Sequence, residues 1–151
     1  MREDTPLIAA QAAALAALAW PGRVRWSLPD PVAAAALTAT AAGGGLALAG
    51  LAPHGTSITP RVEPPSGTGL HTGGAYRVSR HPIYTGLLVG GAGVAVLRRR
   101  PGPLAAWVAL LGVLHAKTRR EERHLVERFG ADYERYRERT PRLLGLPGRH
   151  A

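Results

Sequence analysis

The chain has 151 residues, which is typical of a single domain, and it contains no cysteine. The missing cysteines exclude disulfide bonds, thiolate metal sites and a cysteine nucleophile. The formal net charge is +9 although 46% of the residues are apolar, and the charges are concentrated between long apolar blocks.

Four apolar blocks predict an all-α integral membrane bundle of about four transmembrane helices. The candidate helices are residues 6–20, 31–52, 83–97 and 102–116. Crossing the hydrocarbon core takes about 20 apolar residues, a length that the second block alone reaches easily. All four blocks end in Arg, Lys, Trp or Pro, as membrane helices do at the interface. A soluble Ala-rich bundle is the alternative, but it requires recurring polar positions, and residues 33–52 offer only Thr38 and Thr40.

The first block is predicted to be a retained helix, because Glu3 and Asp4 precede it and no cleavage signal follows Trp20. Four spans place both termini on one side of the membrane. Ten of the 19 Lys and Arg residues lie from Lys117 onward, and this favours a cytoplasmic location for that side. Small-residue steps, Gly86 to Gly90 and Gly43 to Gly45, predict close packing between spans.

A charged amphipathic helix is predicted over residues 117–140, lying on or against the membrane. Its apolar stripe contains Leu125, Phe129, Tyr133 and Tyr136. Gly130 is expected to divide this helix into two pieces.

The stretch "YRVSRHPIY", Tyr76 to Tyr84, concentrates polar side chains at the start of the third span. Pro82 suits the first turn of a helix, so Arg80 and His81 form an elbow before it. The simplest account is that these two side chains anchor the helix end to lipid phosphates. Acids at a membrane edge need partners, however, and the Glu121–Glu122 pair follows the fourth span beside the apolar stripe. Lys117 is four residues before Glu121, within side-chain reach.

Two motifs together resemble a known family. "GAYRVSRHPIYTG", followed from residue 117 by "KTRREERHLVERFGADYERYRERTPRLLGLP", is similar to the isoprenylcysteine carboxyl methyltransferase and phospholipid methyltransferase superfamily. These are integral membrane enzymes that use S-adenosylmethionine. The resemblance covers residues 70–147, and one departure is Ala75 where the family usually has proline.

The resemblance implies a cofactor site built from residues 53–82 and 117–147. Arg80 and His81 would bind the cofactor carboxylate, and Glu121 or Glu122 its ammonium group. The remaining implied cofactor contacts are Tyr76, Pro82 and Tyr84, whose tyrosine rings would flank the adenine or the sulfonium.

The resemblance also implies two residues near the methyl acceptor, Lys117 and Glu121. A carboxylate acceptor needs no base, and Lys117 would then orient it. An amine or phenol acceptor must lose a proton, for which Glu121 is the candidate base. The acceptor is expected to be lipophilic, and a prenylated cysteine, an amine headgroup and a quinone-like ring all stay open, as does the oligomeric state.

Other functions are less well supported by the residues. Glu121 and His124 form one Glu-x-x-His motif, whereas a di-iron bundle needs two, and no metal site is expected. A non-enzymatic anchor binding anionic lipid through the basic tail is the main alternative. Nucleic-acid binding is not expected, because acidic residues are interleaved through the tail.

Overall fold

A computed structural model describes residues 5–54 and 69–144, and the regular structure in these ranges is helical. The helices are α1 (Thr5–Ala19), α2 (Asp30–Leu51), α3 (Pro82–Leu97), α4 (Pro101–Phe129) and α5 (Ala131–Arg139). No strand occurs in these ranges, so the predicted all-α class is confirmed. Residues 55–68 and 145–147 of the predicted cofactor regions lie outside the described residues.

Proline and glycine set most of the helix boundaries. Proline stands at the first or second position of α2, α3 and α4, where its missing N–H costs nothing. Gly130 has φ +50 and separates α4 from α5, which confirms the break predicted there. The fourth apolar block and the first part of the tail form one continuous helix, α4, because residues 113–129 contain neither Gly nor Pro.

Helices α2 and α3 contact each other through their glycines. A Cβ atom added at Gly43 would lie 2.2 Å from the Gly90 nitrogen, and one added at Gly86 would lie 2.5 Å from the Gly43 oxygen. The two backbones therefore touch directly, as the small-residue steps predict. Helix α4 packs on the other side of α3, where the Trp107 indole donates a hydrogen bond of 2.8 Å to the Leu88 carbonyl.

The bundle has two distinct ends. At one end Arg98 donates to the Ala19 carbonyl at 2.9 Å, and the Arg25 amide donates to the Arg99 carbonyl at 2.9 Å. These bonds join the end of α1 and the segment after it to the turn between α3 and α4. The start of α3 and the middle of α4 meet at the opposite end, and the polar residues of the sequence motifs are found there.

One helix in the described residues is long and apolar enough to cross a membrane. It is α2 together with the short 3-10 turn that follows it, Asp30–His54, with a mean hydropathy of 1.6. Helices α1 and α3 have 15 and 16 residues. At about 1.5 Å per residue they reach about 22–24 Å, less than the hydrocarbon thickness of about 30 Å. Length and composition therefore identify one candidate span in this part of the chain rather than the four that the sequence predicts.

We expect Gly43→Ala to destabilise the bundle by about 1–3 kcal/mol, because the added methyl group meets the α3 backbone, which cannot rotate away. Gly44→Ala is the matched control: no atom lies within 4 Å of its added Cβ, and alanine gains up to about 1 kcal/mol of helix propensity. Denaturant unfolding in detergent, followed by circular dichroism, measures both. Equal stability of the two variants would contradict the direct backbone contact.

Candidate functional site

The site begins at the elbow, residues Ser79 to Pro82, which turns the chain into α3. His81 precedes the helix in a non-helical conformation, and its backbone N–H donates to the Ser79 hydroxyl at 3.1 Å. That hydroxyl also lies 2.7 Å from the Thr85 hydroxyl in the first turn of α3. Ser79 and Thr85 are fully buried, so this small polar network fixes the direction of the Arg80 and His81 side chains.

A C-terminal strap, residues Thr140 to Arg142, holds the elbow from outside. The Arg80 amide donates to the Pro141 carbonyl at 2.9 Å, and the Ser79 hydroxyl donates to the Arg142 carbonyl at 3.0 Å. The strap follows α5, whose buried Tyr136 donates to the Tyr76 carbonyl at 2.6 Å. The end of the described chain thus closes over the start of α3.

The Glu122 carboxylate is the most heavily paired group in the site. The Arg80 guanidinium lies 3.0 Å from its Oε1 and the Arg142 guanidinium 2.6 Å from its Oε2, while His81 Nε2 is 3.4 Å from Oε1. Burial alone would raise the pKa of Glu122, but the hydrogen bonds from His81 and Arg142 and the charge of Arg80 lower it to about 2. Glu122 is therefore ionised and shared among three partners.

Glu121 has the opposite environment. Its Oε2 lies 3.5 Å from His81 Nδ1, so that the imidazole stands between the two glutamates. This oxygen is buried and has no hydrogen-bond partner in the described residues. Burial raises the pKa of Glu121, and the nearby charges of His81 and Lys117 offset this only in part.

Tyr84 lies at the centre of a second group of contacts. The His81 ring stacks on it with centroids 5.8 Å apart, and Lys117 Nζ lies 5.1 Å from its ring centroid. Lys117 is fully buried and donates to Gln11 Oε1 of α1 at 2.8 Å. Sequence reasoning missed Gln11, although an amide alone in the apolar run of α1 is a signal that it has a polar partner.

Tyr76 lies at the edge of the site, against the end of α2. Its hydroxyl is 2.7 Å from His54 Nε2, and its ring centroid is 6.0 Å from that of His71. The sequence assigned no role to either histidine. Burial, together with the charge of Glu121, raises the pKa of Tyr76 to about 12, so the phenol stays protonated and can donate.

The structure places the predicted cofactor and catalytic residues at one end of the bundle, with Tyr76 at the edge of the site. The elbow and the glutamate pair converge at one end of the bundle, with Pro82 buried in the first turn of α3. Four further residues contact the predicted site residues or fix the elbow and were missed by the sequence analysis: Gln11, Ser79, Thr85 and Arg142. In the described ranges no three His, Asp or Glu side chains are grouped so that they could hold a metal ion.

A family model described as phospholipid methyltransferase matches residues 34–132, which include most of α2, the elbow and the glutamate pair. The chain belongs to the phospholipid methyltransferase family. No curated protein and no solved structure gave a significant match. The match supports the superfamily that the sequence motifs indicate. Membership implies S-adenosylmethionine-dependent methyl transfer to a lipid-type substrate.

We expect Glu122→Gln to destabilise this methyltransferase by about 3 kcal/mol, because it leaves the buried Arg80 guanidinium without a counter-charge. The folded-state pKa of Glu122, about 2, lies below its ordinary value of 4.5. Its stabilisation is therefore complete above about pH 5 and is lost as the pH falls toward 2.

Denaturant unfolding in detergent across this pH range tests the prediction: the stability difference between the wild type and Glu122→Gln should narrow as the pH falls. Glu138→Gln, on the exposed side of α5, is the control and should change stability by less than about 0.5 kcal/mol. A difference that stays constant down to pH 2 would contradict the paired carboxylate.

Proposed function

We propose that this protein transfers a methyl group from S-adenosylmethionine to a lipid-like or isoprenoid acceptor at the membrane surface. One observation carries the proposal: His81 stands between a saturated carboxylate, Glu122, and a half-buried carboxylate, Glu121, whose buried Oε2 accepts no hydrogen bond. A buried oxygen without a hydrogen bond is costly unless a ligand completes it. The family match supports the same chemistry.

The described residues fit the cofactor. S-adenosylmethionine supplies an electrophilic methyl group and carries an ammonium, a carboxylate and an adenine. The Oε2 of Glu121 suits the ammonium, because it is buried and accepts no hydrogen bond. The Nε of Arg80 is likewise buried without a partner, which leaves a donor for the carboxylate beside His81. Tyr84 and Tyr76 offer flat faces to the adenine or the sulfonium.

Glu122 is better suited to hold the site than to bind the cofactor ammonium. Its two oxygens already accept from Arg80, His81 and Arg142. We therefore assign the ammonium to Glu121 and give Glu122 a positioning role, in which it fixes the His81 ring and the Arg80 guanidinium. Holding donor and acceptor in line can supply about 7–11 kcal/mol toward methyl transfer, so a rigid site is of direct value.

Lys117 and Gln11 are proposed to face the methyl acceptor. A fully buried ammonium group beside the Tyr84 ring can orient an acceptor carboxylate, for which no base is needed. An amine or phenol acceptor has to lose a proton, and the raised pKa of Glu121 suits it as the base. A prenylated cysteine, an amine headgroup and a quinone-like ring are the acceptor classes compatible with these side chains.

A multi-pass membrane location with both termini in the cytoplasm is part of the proposal. Large apolar side chains point outward from α2 and α4: Leu37, Leu48 and Val108 are 59%, 68% and 60% exposed. Contiguous exposed apolar surface is rare on soluble proteins, and a bilayer would cover it. Local bilayer thinning accommodates spans as short as α1 and α3. A lipophilic acceptor would then enter the site laterally from the bilayer.

Calorimetry with S-adenosylhomocysteine on detergent-purified protein tests the cofactor site. We expect Glu121→Gln to weaken binding about tenfold or more, since one charge-assisted hydrogen bond to the ammonium is lost. Glu138→Gln is the control and should bind as the wild type does. Unchanged affinity of Glu121→Gln would remove Glu121 from the cofactor site, and wild-type protein that binds only anionic vesicles would favour a lipid anchor.

Labelled methyl transfer into native lipid extracts, with product identification by mass spectrometry, tests the acceptor site. We expect Lys117→Met to reduce transfer at least tenfold while S-adenosylhomocysteine affinity stays within about twofold, because the lost ammonium orients only the acceptor. Gln11→Leu should reduce transfer less. Equal loss of cofactor affinity and transfer in Lys117→Met would place Lys117 in the cofactor site instead.

A further inference from the structure

A cavity opens on the side of α4 that carries Glu122, away from Lys117 and Glu121. Its volume is about 440 Å³, and α4, α5 and the C-terminal strap all contribute to its wall. Residues 119 and 123 line it, and they lie on the opposite side of α4 from residues 117 and 121, because successive helical residues are about 100° apart. We call this cavity the basic cleft.

Arginine dominates the wall of the basic cleft. Four guanidinium groups line it, those of Arg119, Arg123, Arg137 and Arg142. Two carboxylates, Glu122 and Glu127, also line it, so that the formal charge of the wall is +2. The charge of Glu122 is neutralised by its ion pairs with Arg142 and with Arg80, which does not line the cleft. The field inside the cleft is therefore positive.

Two of these arginines have no partner in the described part of the chain. Arg119 and Arg123 are exposed, one helical turn apart, and make no hydrogen bond or ion pair there. Arg142 bonds Glu122 through a single guanidinium nitrogen, and its side chain remains 33% exposed. Guanidinium groups that converge from three segments around a cavity suit a tetrahedral oxyanion, which accepts several charge-assisted hydrogen bonds at once.

The basic cleft also lies at a suitable depth. Residues 119 and 123 follow the predicted span, 102–116, by three and seven positions. At about 1.5 Å per residue they lie about 4–11 Å beyond its end. The two headgroup layers of a bilayer together add about 10–15 Å to the hydrocarbon core, so each is about 5–8 Å thick. In the proposed membrane location, Arg119 therefore lies at the depth of the lipid phosphates and Arg123 lies just beyond them, at the outer edge of the headgroup layer.

We propose that the basic cleft binds the phosphate group of a phospholipid. The cleft shares Glu122 and Arg142 with the proposed methyl-transfer site, but Glu121 and Lys117, which are proposed to contact the cofactor and the acceptor, do not line it. The inference rests on the proposed membrane location. The lipid phosphate would join α4, α5 and the strap from the membrane side. Free phosphate has the same chemistry, and the experiment distinguishes the two sources.

Calorimetry on the full chain in a neutral detergent at low salt uses three probes: dihexanoyl phosphatidylglycerol, dihexanoylglycerol and inorganic phosphate. We expect saturable binding of the phosphatidylglycerol and none of the dihexanoylglycerol, which lacks the phosphate. Arg123→Gln should weaken this binding about tenfold or more. Arg139→Gln removes the same charge from an exposed position of α5 outside the cleft and should weaken it less than about threefold.

Inorganic phosphate that binds as tightly as the lipid would support the phosphate site and identify free phosphate as its source. Equal binding of dihexanoylglycerol, or equal losses in Arg123→Gln and Arg139→Gln, would overturn the proposal in favour of detergent-like or diffuse charge binding. S-adenosylhomocysteine affinity reports whether Arg123→Gln is folded, and Arg119→Gln provides a second, independent variant of the same cleft.

Discussion

One buried carboxylate, that of Glu122, requires three parts of the chain to meet. An ionised carboxylate away from water is tolerated only with partners of opposite charge. The elbow supplies Arg80 and His81 at 3.0 and 3.4 Å, and the strap supplies Arg142 at 2.6 Å. Because α4 carries the acid and the other two segments carry the cations, the end of the bundle closes around a single charge.

The two adjacent glutamates illustrate how position on a helix separates chemical roles. Glu122 points toward the strap and is saturated, with its pKa lowered to about 2. Glu121, one residue earlier, points toward Tyr84 and Lys117, and burial raises its pKa. His81 contacts both glutamates. The ionised Glu122 holds the imidazole ring in contact with Glu121, whose Oε2 accepts no hydrogen bond. In the proposed mechanism one glutamate keeps the geometry and the other receives the ligand.

Local signals in the sequence predicted a large part of this arrangement. The helical class, the start of α3 at Pro82 and the break at Gly130 follow from apolar blocks and from single Pro and Gly residues. The glycine contact between α2 and α3 follows from small-residue spacing. The prediction ended one helix at residue 116 and began another at residue 117, whereas α4 continues through residue 129. A change from apolar to charged composition does not end a helix that no Gly or Pro interrupts.

Local sequence signals could not predict the contacts between segments that are distant in the chain. The Arg142 pairing depends on α5 folding back along α4, and no local pattern around residue 142 encodes that return. The Gln11 contact joins residues 106 positions apart. A lone amide in an apolar helix indicates that a partner exists, but only the packing of α1 on α4 identifies Lys117 as that partner.

The position of Gln11 has a consequence for diversification. The family match begins at residue 34, whereas Gln11 lies in α1 and touches the buried Lys117 from outside the matched region. Helix α1 contributes nothing to the charge cluster around Glu122 or to the glycine contact. In the proposed site, Gln11 is therefore a position at which the surroundings of Lys117 can change without altering the Glu122 cluster, whereas Ala14 and Leu18 of the same helix belong to the buried core.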